Sequence, residues 1–167
     1  MNIVLIGFSG SGKTTVSKAL SKKLKMKCFE MDDLVVAKSK RKSVNEIFQK
    51  DGETHFRELE IQVAKELAKQ DNCIISTGGG VVVNKIILDY FKEKGIVVHL
   101  RTSFSEARRR LENTNDRPLQ REVRKARKIY NFRKALYRQY ADAYVRTDNK
   151  TVEEVRDEII DMANDER

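Results

Sequence analysis

Gly7-Phe8-Ser9-Gly10-Ser11-Gly12-Lys13-Thr14-Thr15 places Gly7, Gly12, Lys13 and Thr14 at the spacing G-x-x-x-x-G-K-[ST]. Glycines at such spacing let the backbone curl until successive N–H groups point inward at phosphate oxygens. A helix starting at Lys13 adds the positive end of its dipole. Gly10, Ser11, Gly12, Lys13, Thr14 and Thr15 are therefore candidates to cradle the phosphates of a nucleotide such as ATP. Lys13 would reach the β- and γ-phosphates, and the Thr14 hydroxyl would ligate Mg²⁺. The bland alternative is a glycine-rich turn with no ligand. The loop alone does not say where a phosphoryl group goes.

Four further groups bear on an acceptor. Glu30-Met31-Asp32-Asp33 puts carboxylates where one could hold Mg²⁺ and another could take a proton from an attacking hydroxyl, or where both aspartates simply cap a helix. Glu53, Arg57 and Glu60 are neighbours at helical spacing. An arginine between two carboxylates is held in one orientation and suits a bidentate grip on a substrate carboxylate. An ordinary surface ion pair remains the alternative. Gly78-Gly79-Gly80 leaves no side chain in a ligand's way, or is a loose turn. Arg108, Arg109, Arg110, Arg117 and Arg133 offer cations for the charge that develops in phosphoryl transfer. Most of these arginines read as solvated; Arg117, beside the only proline, Pro118, is the one suited to a closing loop. His55 reads as a solvent-facing helix residue.

The hydrophobic pattern alternates strands with helices. Strands are expected at 2–6, 28–29, 73–76, 96–100 and 143–146. Helices are expected at 13–25, 33–38, 53–69, 84–94, 104–112, 122–141 and 151–163. Ser43 with Glu46 forms a capping box before Ile47 and Phe48, Asp51-Gly52 breaks that helix, and Gly95 reads as a helix stop. Such alternation predicts an α/β fold, a parallel sheet with helices on both faces. Ligands of these sheets bind beyond the carboxyl ends of the strands. The phosphate loop, the Glu30–Asp33 cluster and the triple glycine all follow strands, so they should gather along one edge.

The 167 residues suit one domain with one substantial core. Hydrophobic residues at 40% and charged residues at 35% exclude a disordered chain. No apolar run approaches the roughly 20 residues of a membrane helix, and no signal or transit segment is expected. Cys28 and Cys73 sit in apolar stretches without metal-ligand spacing and read as reduced core residues of a cytoplasmic protein. The net charge of +9 fits nucleic acid or an anionic small substrate.

In combination, these motifs resemble the shikimate kinase family. The resemblance rests on the phosphate loop, the acidic pair after strand two, Ser43-Val44-Asn45-Glu46-Ile47-Phe48, Gly52-Glu53 with Phe56-Arg57 and Glu60, Gly78-Gly79-Gly80, Arg117-Pro118-Leu119, and Arg133 before Leu136-Tyr137. It spans nearly the whole chain and implies a P-loop NTPase fold like that of nucleoside monophosphate kinases. That fold is a three-layer sandwich with a central five-stranded parallel sheet and a mobile lid. The chain would be a single kinase domain over 1–167, with shikimate-binding helices at about 32–60 and the lid at about 112–124.

The implied reaction moves the γ-phosphate of ATP to the 3-hydroxyl of shikimate, with Mg²⁺. By position, Asp32 would bind the shikimate hydroxyls and help remove the proton, while Arg57 and Arg133 would hold the carboxylate. Gly78, Gly79 and Gly80 would line the substrate site, Arg110 would flank the adenine, and Arg117 would be the lid cation. Glu30 stands where the family usually has an aspartate that serves Mg²⁺ through water, and Asp33 doubles the acidic position after Asp32. The Lys38–Lys42 connection and the lid after Leu119 are unusually basic. A monomer binding ATP and shikimate, with no nucleic acid and no membrane, is expected. The competing readings are a gluconate- or nucleotide-kinase-like enzyme, or a nucleotide-dependent nucleic-acid-binding protein; no aromatic stacking platform favours the last.

Overall fold

The protein's structure is a computed structural model that describes residues 1–112 and 123–165. Five strands, β1 (Asn2–Ile6), β2 (Lys27–Glu30), β3 (Cys73–Ser76), β4 (Gly95–Arg101) and β5 (Ala143–Arg146), form one parallel sheet in the order β2-β3-β1-β4-β5. Every pairing is parallel, with Val4 opposite both Ile75 and Val97 at the centre. Helices α1 (Lys13–Leu24), α2 (Met31–Ser39), α3 (Val44–Lys50), α4 (Gly52–Leu67), α5 (Lys85–Lys92), α6 (Phe104–Glu112), α7 (Val123–Tyr140) and α8 (Val152–Asp165) connect and cover it. The α/β fold and the five-stranded parallel sheet follow the sequence expectation.

Strand β1 shows why both faces must be covered. Its residues alternate between two cores: Val4 and Ile6 pack with α4, α5 and α7, while Ile3 and Leu5 pack with α1 and α8. Those two cores make the layers of the sandwich. Leu5 and Ile6 are fully buried, and each such side chain contributes roughly 1.5–3 kcal/mol. The strand order reverses at β1, whose neighbours β3 and β4 diverge. Between their carboxyl ends lies the crevice that open α/β sheets offer to ligands.

Local chemistry sets the boundaries. Gly12 sits at φ 93°, a left-handed conformation that turns the loop into α1 and that an L side chain rarely adopts. Ser43 caps α3 by accepting from Glu46 N at 3.1 Å, and Glu46 in return accepts from Lys42 N at 2.7 Å. The stripe Phe56, Leu59, Val63 and Leu67 buries the inner face of α4. Two expectations change. Gly95 does not stop a helix; it opens β4, because a Cβ there would meet Asn2 O at 2.7 Å across the β1–β4 pairing. Helix α2 starts at Met31 rather than Asp33, since the fully buried Met31 anchors its first turn and leaves both aspartates inside the helix. Cys28 is half-buried, Cys73 is buried, and both are free. No described helix is long and apolar enough to cross a membrane. Most of the expected lid, residues 113–122 with Arg117, lies outside the described residues.

Candidate active site

The phosphate loop leaves β1 and returns into α1 over the crevice. Lys13 is 7% exposed, and its ammonium donates to Gly7 O at 2.7 Å and Phe8 O at 3.1 Å, holding it along the loop. Thr14 and Thr15 are exposed at the start of α1, and Ser11 Oγ is buried without a hydrogen-bond partner among the described residues. Gly10 must stay bare, because a Cβ there would lie 2.5 Å from Ala107 O. Arg110 on α6 braces the loop: its guanidinium donates to Ser11 O at 3.3 Å, Thr147 Oγ1 at 3.2 Å and Thr147 O at 3.0 Å, while Nε donates to Glu106 at 2.8 Å. Arg108 and Arg109 instead pair with Glu112 and Glu106 on their own helix and face solvent, as expected of them.

Glu30 ends β2 beside the loop. Thr14 Oγ1 donates to Glu30 Oε2 at 3.1 Å, and Ser17 Oγ lies 3.0 Å from Oε1. A hydroxyl and one carboxylate, both hard oxygen donors, fit Mg²⁺, which takes few protein ligands and completes its shell with phosphate and water. Among the described residues no group of three or more His, Cys, Asp or Glu converges as a metal site, here or elsewhere.

Opposite the loop, α4 presents Arg57 and Glu60. Arg57 donates to Glu60 Oε2 at 2.5 Å and to Glu53 Oε1 at 3.1 Å, so the guanidinium is held from both sides as its spacing predicts. Desolvation opposes the Arg57 charge, but Glu60 and Glu53 outweigh it and raise its pKa. Glu60 is 1% exposed. Burial pushes its carboxyl up to about 7 against the pull of Arg57, and the charge of Asp32 adds to the rise. Asp32 is half-buried toward this cluster and Asp33 is exposed on the outer side of α2.

The triple glycine joins the two halves. A Cβ on Gly78 would meet Asp32 Oδ1 at 2.5 Å and Glu60 Oε1 at 3.4 Å. One on Gly79 would meet Ser9 Oγ at 3.0 Å and Gly7 O at 3.6 Å, and one on Gly80 would meet the Arg57 guanidinium at 2.7 Å. Three successive positions thus touch the acid pair, the phosphate loop and the arginine. Any side chain on the turn would intrude on one of them, which rules out a loose turn.

Helix α7 closes the cluster. Arg133 is half-buried; desolvation lowers its pKa, and it feels Tyr137, Arg57, Glu60 and Glu53. One helical turn on, Tyr137 is 1% exposed and donates its hydroxyl to Gly79 O. Its ring stacks on His99 with centroids 4.8 Å apart, and burial keeps His99 neutral with a pKa lowered to about 4. The structure therefore brings together Lys13, Thr14, Glu30, Asp32, Arg57, the three glycines and Arg133. Arg110 lies on the far side of the loop, and Arg117 is outside the described residues. Sequence reasoning passed over Ser17 and His99, and named Tyr137 only as a neighbour of Arg133 without giving it a role. Helical spacing of Ser17 from Lys13 and Thr14 was the one available signal; His99 and Tyr137 needed the packing of β4 against α7.

Comparison with known proteins agrees with this geometry. A sequence model described as shikimate kinase matches residues 9–164. A shikimate kinase of Sulfurihydrogenibium sp. is 38% identical over 160 residues, covering 95% of each chain. The solved structure of an Acinetobacter baumannii shikimate kinase in complex with shikimate superposes with a TM-score of 0.92 at 29% identity, covering 99% of this chain and 94% of that one. That of the Aquifex aeolicus enzyme superposes with a TM-score of 0.85 at 35% identity, covering 99% and 96%. With a phosphate loop and the Arg57–Glu60 pair meeting at one glycine turn, and a family model matched over residues 9–164, the chain belongs to the shikimate kinase family.

Proposed function

We propose that the protein transfers the γ-phosphoryl group of ATP to the 3-hydroxyl of shikimate, giving shikimate 3-phosphate and ADP. Loop N–H groups from Gly10 to Thr15 and the Lys13 ammonium cradle the β- and γ-phosphates, and Arg110 flanks the adenine. Arg57 and Arg133 hold the shikimate carboxylate, which orients the ring across Gly78, Gly79 and Gly80. Asp32 accepts the proton of the attacking hydroxyl as its oxygen bonds to the γ-phosphorus and the bond to the β-phosphate oxygen breaks. Mg²⁺, held by Thr14 Oγ1 and through water by Glu30, supplies charge neutralisation on the phosphates when bound. Arg117 acts from the lid, stabilising the transferring group and excluding water.

The observation that supports this reading most is the convergence of the phosphate loop, Asp32 and Arg57 on the single turn Gly78–Gly80. The whole chain acts as one kinase domain and a monomer, in the cytoplasm, on small molecules and not on nucleic acid; helices at about 32–60 bind the acceptor and the segment about 112–124 is the lid. A coupled assay of ADP release tests it with Mg²⁺ and, in turn, shikimate, gluconate and nucleoside monophosphates. Turnover is expected with shikimate alone and lost in Lys13→Ala while the fold survives. Turnover with another acceptor and none with shikimate would overturn the reading.

A further inference from the structure

Glu30 is tied at both carboxylate oxygens, and the second tie has no role in the reaction as described. Thr14 Oγ1 donates to Oε2 at 3.1 Å, and Ser17 Oγ lies 3.0 Å from Oε1. Ser17 is fully buried on α1, where its inward-facing neighbours Val16 and Leu20 are apolar. A hydroxyl in such a place costs stability unless it is hydrogen-bonded. The helix itself offers one acceptor, Thr14 O at 2.9 Å, as it would to any serine in a helix. The tertiary fold adds two partners from β2, the Cys28 thiol and Glu30, and of these Glu30 is the charged acceptor, next to the exposed hydroxyl of Thr14.

A glutamate carboxylate rotates over a broad, nearly two-fold torsion when nothing holds it. Held by Ser17 at Oε1, it keeps Oε2 turned to Thr14 and to the phosphate side of the loop. An aspartate is one methylene, about 1.5 Å, shorter, and its carboxylate would not span both hydroxyls. We propose that Ser17 is a positioning residue for the metal-facing carboxylate, its hydroxyl fixing Glu30 so that the glutamate presents one oxygen beside Thr14 to the Mg²⁺ of the bound nucleotide. The inference rests on the Mg²⁺–nucleotide reading above and adds to it a residue that reaches the metal only through another side chain.

The test uses Mn²⁺ as the probe, with its affinity for the protein–ADP complex read from the free-ion electron paramagnetic resonance signal and so without turnover. Ser17→Ala is expected to weaken Mn²⁺ binding about tenfold, the scale on which supporting partners of metal ligands act. Metal-free ADP affinity should stay within about twofold. Ser17→Cys, a feebler donor kept reduced because the free Cys28 thiol lies beside position 17, should fall between wild type and Ser17→Ala. In a Glu30→Asp background, where the carboxylate no longer reaches Ser17, the same alanine change should alter Mn²⁺ affinity less than about twofold. An unchanged Mn²⁺ affinity in Ser17→Ala, an equal loss in both backgrounds, or an equal loss of metal-free ADP would overturn the proposal. A wild-type protein that binds ADP no better with Mn²⁺ than without it would instead remove the reading on which the proposal stands.

Discussion

Glu60 makes an energetic prediction that can be isolated from every other charge. It is 1% exposed, and its pKa is raised from 4.5 to about 7 by burial, with Asp32 adding to the rise and Arg57 and Arg133 opposing it. Glu53 is the remaining charged group in the cluster, through Arg57. Between the two pKa values the folded protein holds a proton on Glu60 that the unfolded chain has released, so stability falls as pH rises. A displacement from 4.5 to about 7, at about 1.36 kcal/mol per pKa unit, amounts to about 3 kcal/mol, fully lost above the folded value. Glu60→Gln keeps the size of the side chain and cannot titrate. Urea unfolding of both proteins from pH 4.5 to 8 gives two curves whose difference removes the common titrations. The stability of the wild type relative to Glu60→Gln should decline by about 3 kcal/mol over that range. Parallel curves would refute the account of Glu60 as a carboxyl whose burial outweighs its ion pair.

Other expectations concern the two halves of the site. Arg57→Ala should raise KM for shikimate at least tenfold while ADP affinity stays within about twofold; it should also cost about 3 kcal/mol of stability at pH 8, and less at pH 5, where a protonated Glu60 needs no cation. Steady-state kinetics and unfolding at the two pH values check both. Gly79→Ala puts a Cβ 3.0 Å from Ser9 Oγ and 3.2 Å from Ser9 N, so KM should rise about three- to tenfold for ATP and shikimate alike; an effect confined to one substrate would contradict a shared wall. Arg117→Ala should lower kcat by about 10²-fold or more with little change in melting temperature, and unfolding of the variant would mark it as structural.

The chemistry of the phosphate loop was legible because it is local. Gly7 to Thr15 are contiguous, and their spacing prescribes both the backbone curl and the start of α1. Much of α4 was legible for the same reason, since Glu53, Arg57 and Glu60 meet through helical periodicity alone. Gly95 misled because a glycine after a helix and a glycine at a close strand crossing look alike in sequence; only Asn2 across the sheet distinguishes them. The order of Asp32 and Asp33 was equally opaque until Met31 fixed the rotation of α2.

From its residues alone, then, this chain declared a parallel α/β sheet, a phosphate-loop spacing and an arginine set between two carboxylates, all properties of periodicity and short motifs, while the acceptor these would serve came only from the family resemblance. What the tertiary structure decided was their company: Asp32 against Gly78, Arg57 against Gly80, the loop against Gly79, and Ser17 beneath Glu30. Burial also decided protonation, carrying the Glu60 carboxyl to about 7 and the His99 imidazole down to about 4. Local sequence sets which groups exist and how one helix turns; desolvation and contact between distant segments arise only when the sheet brings those segments to one edge.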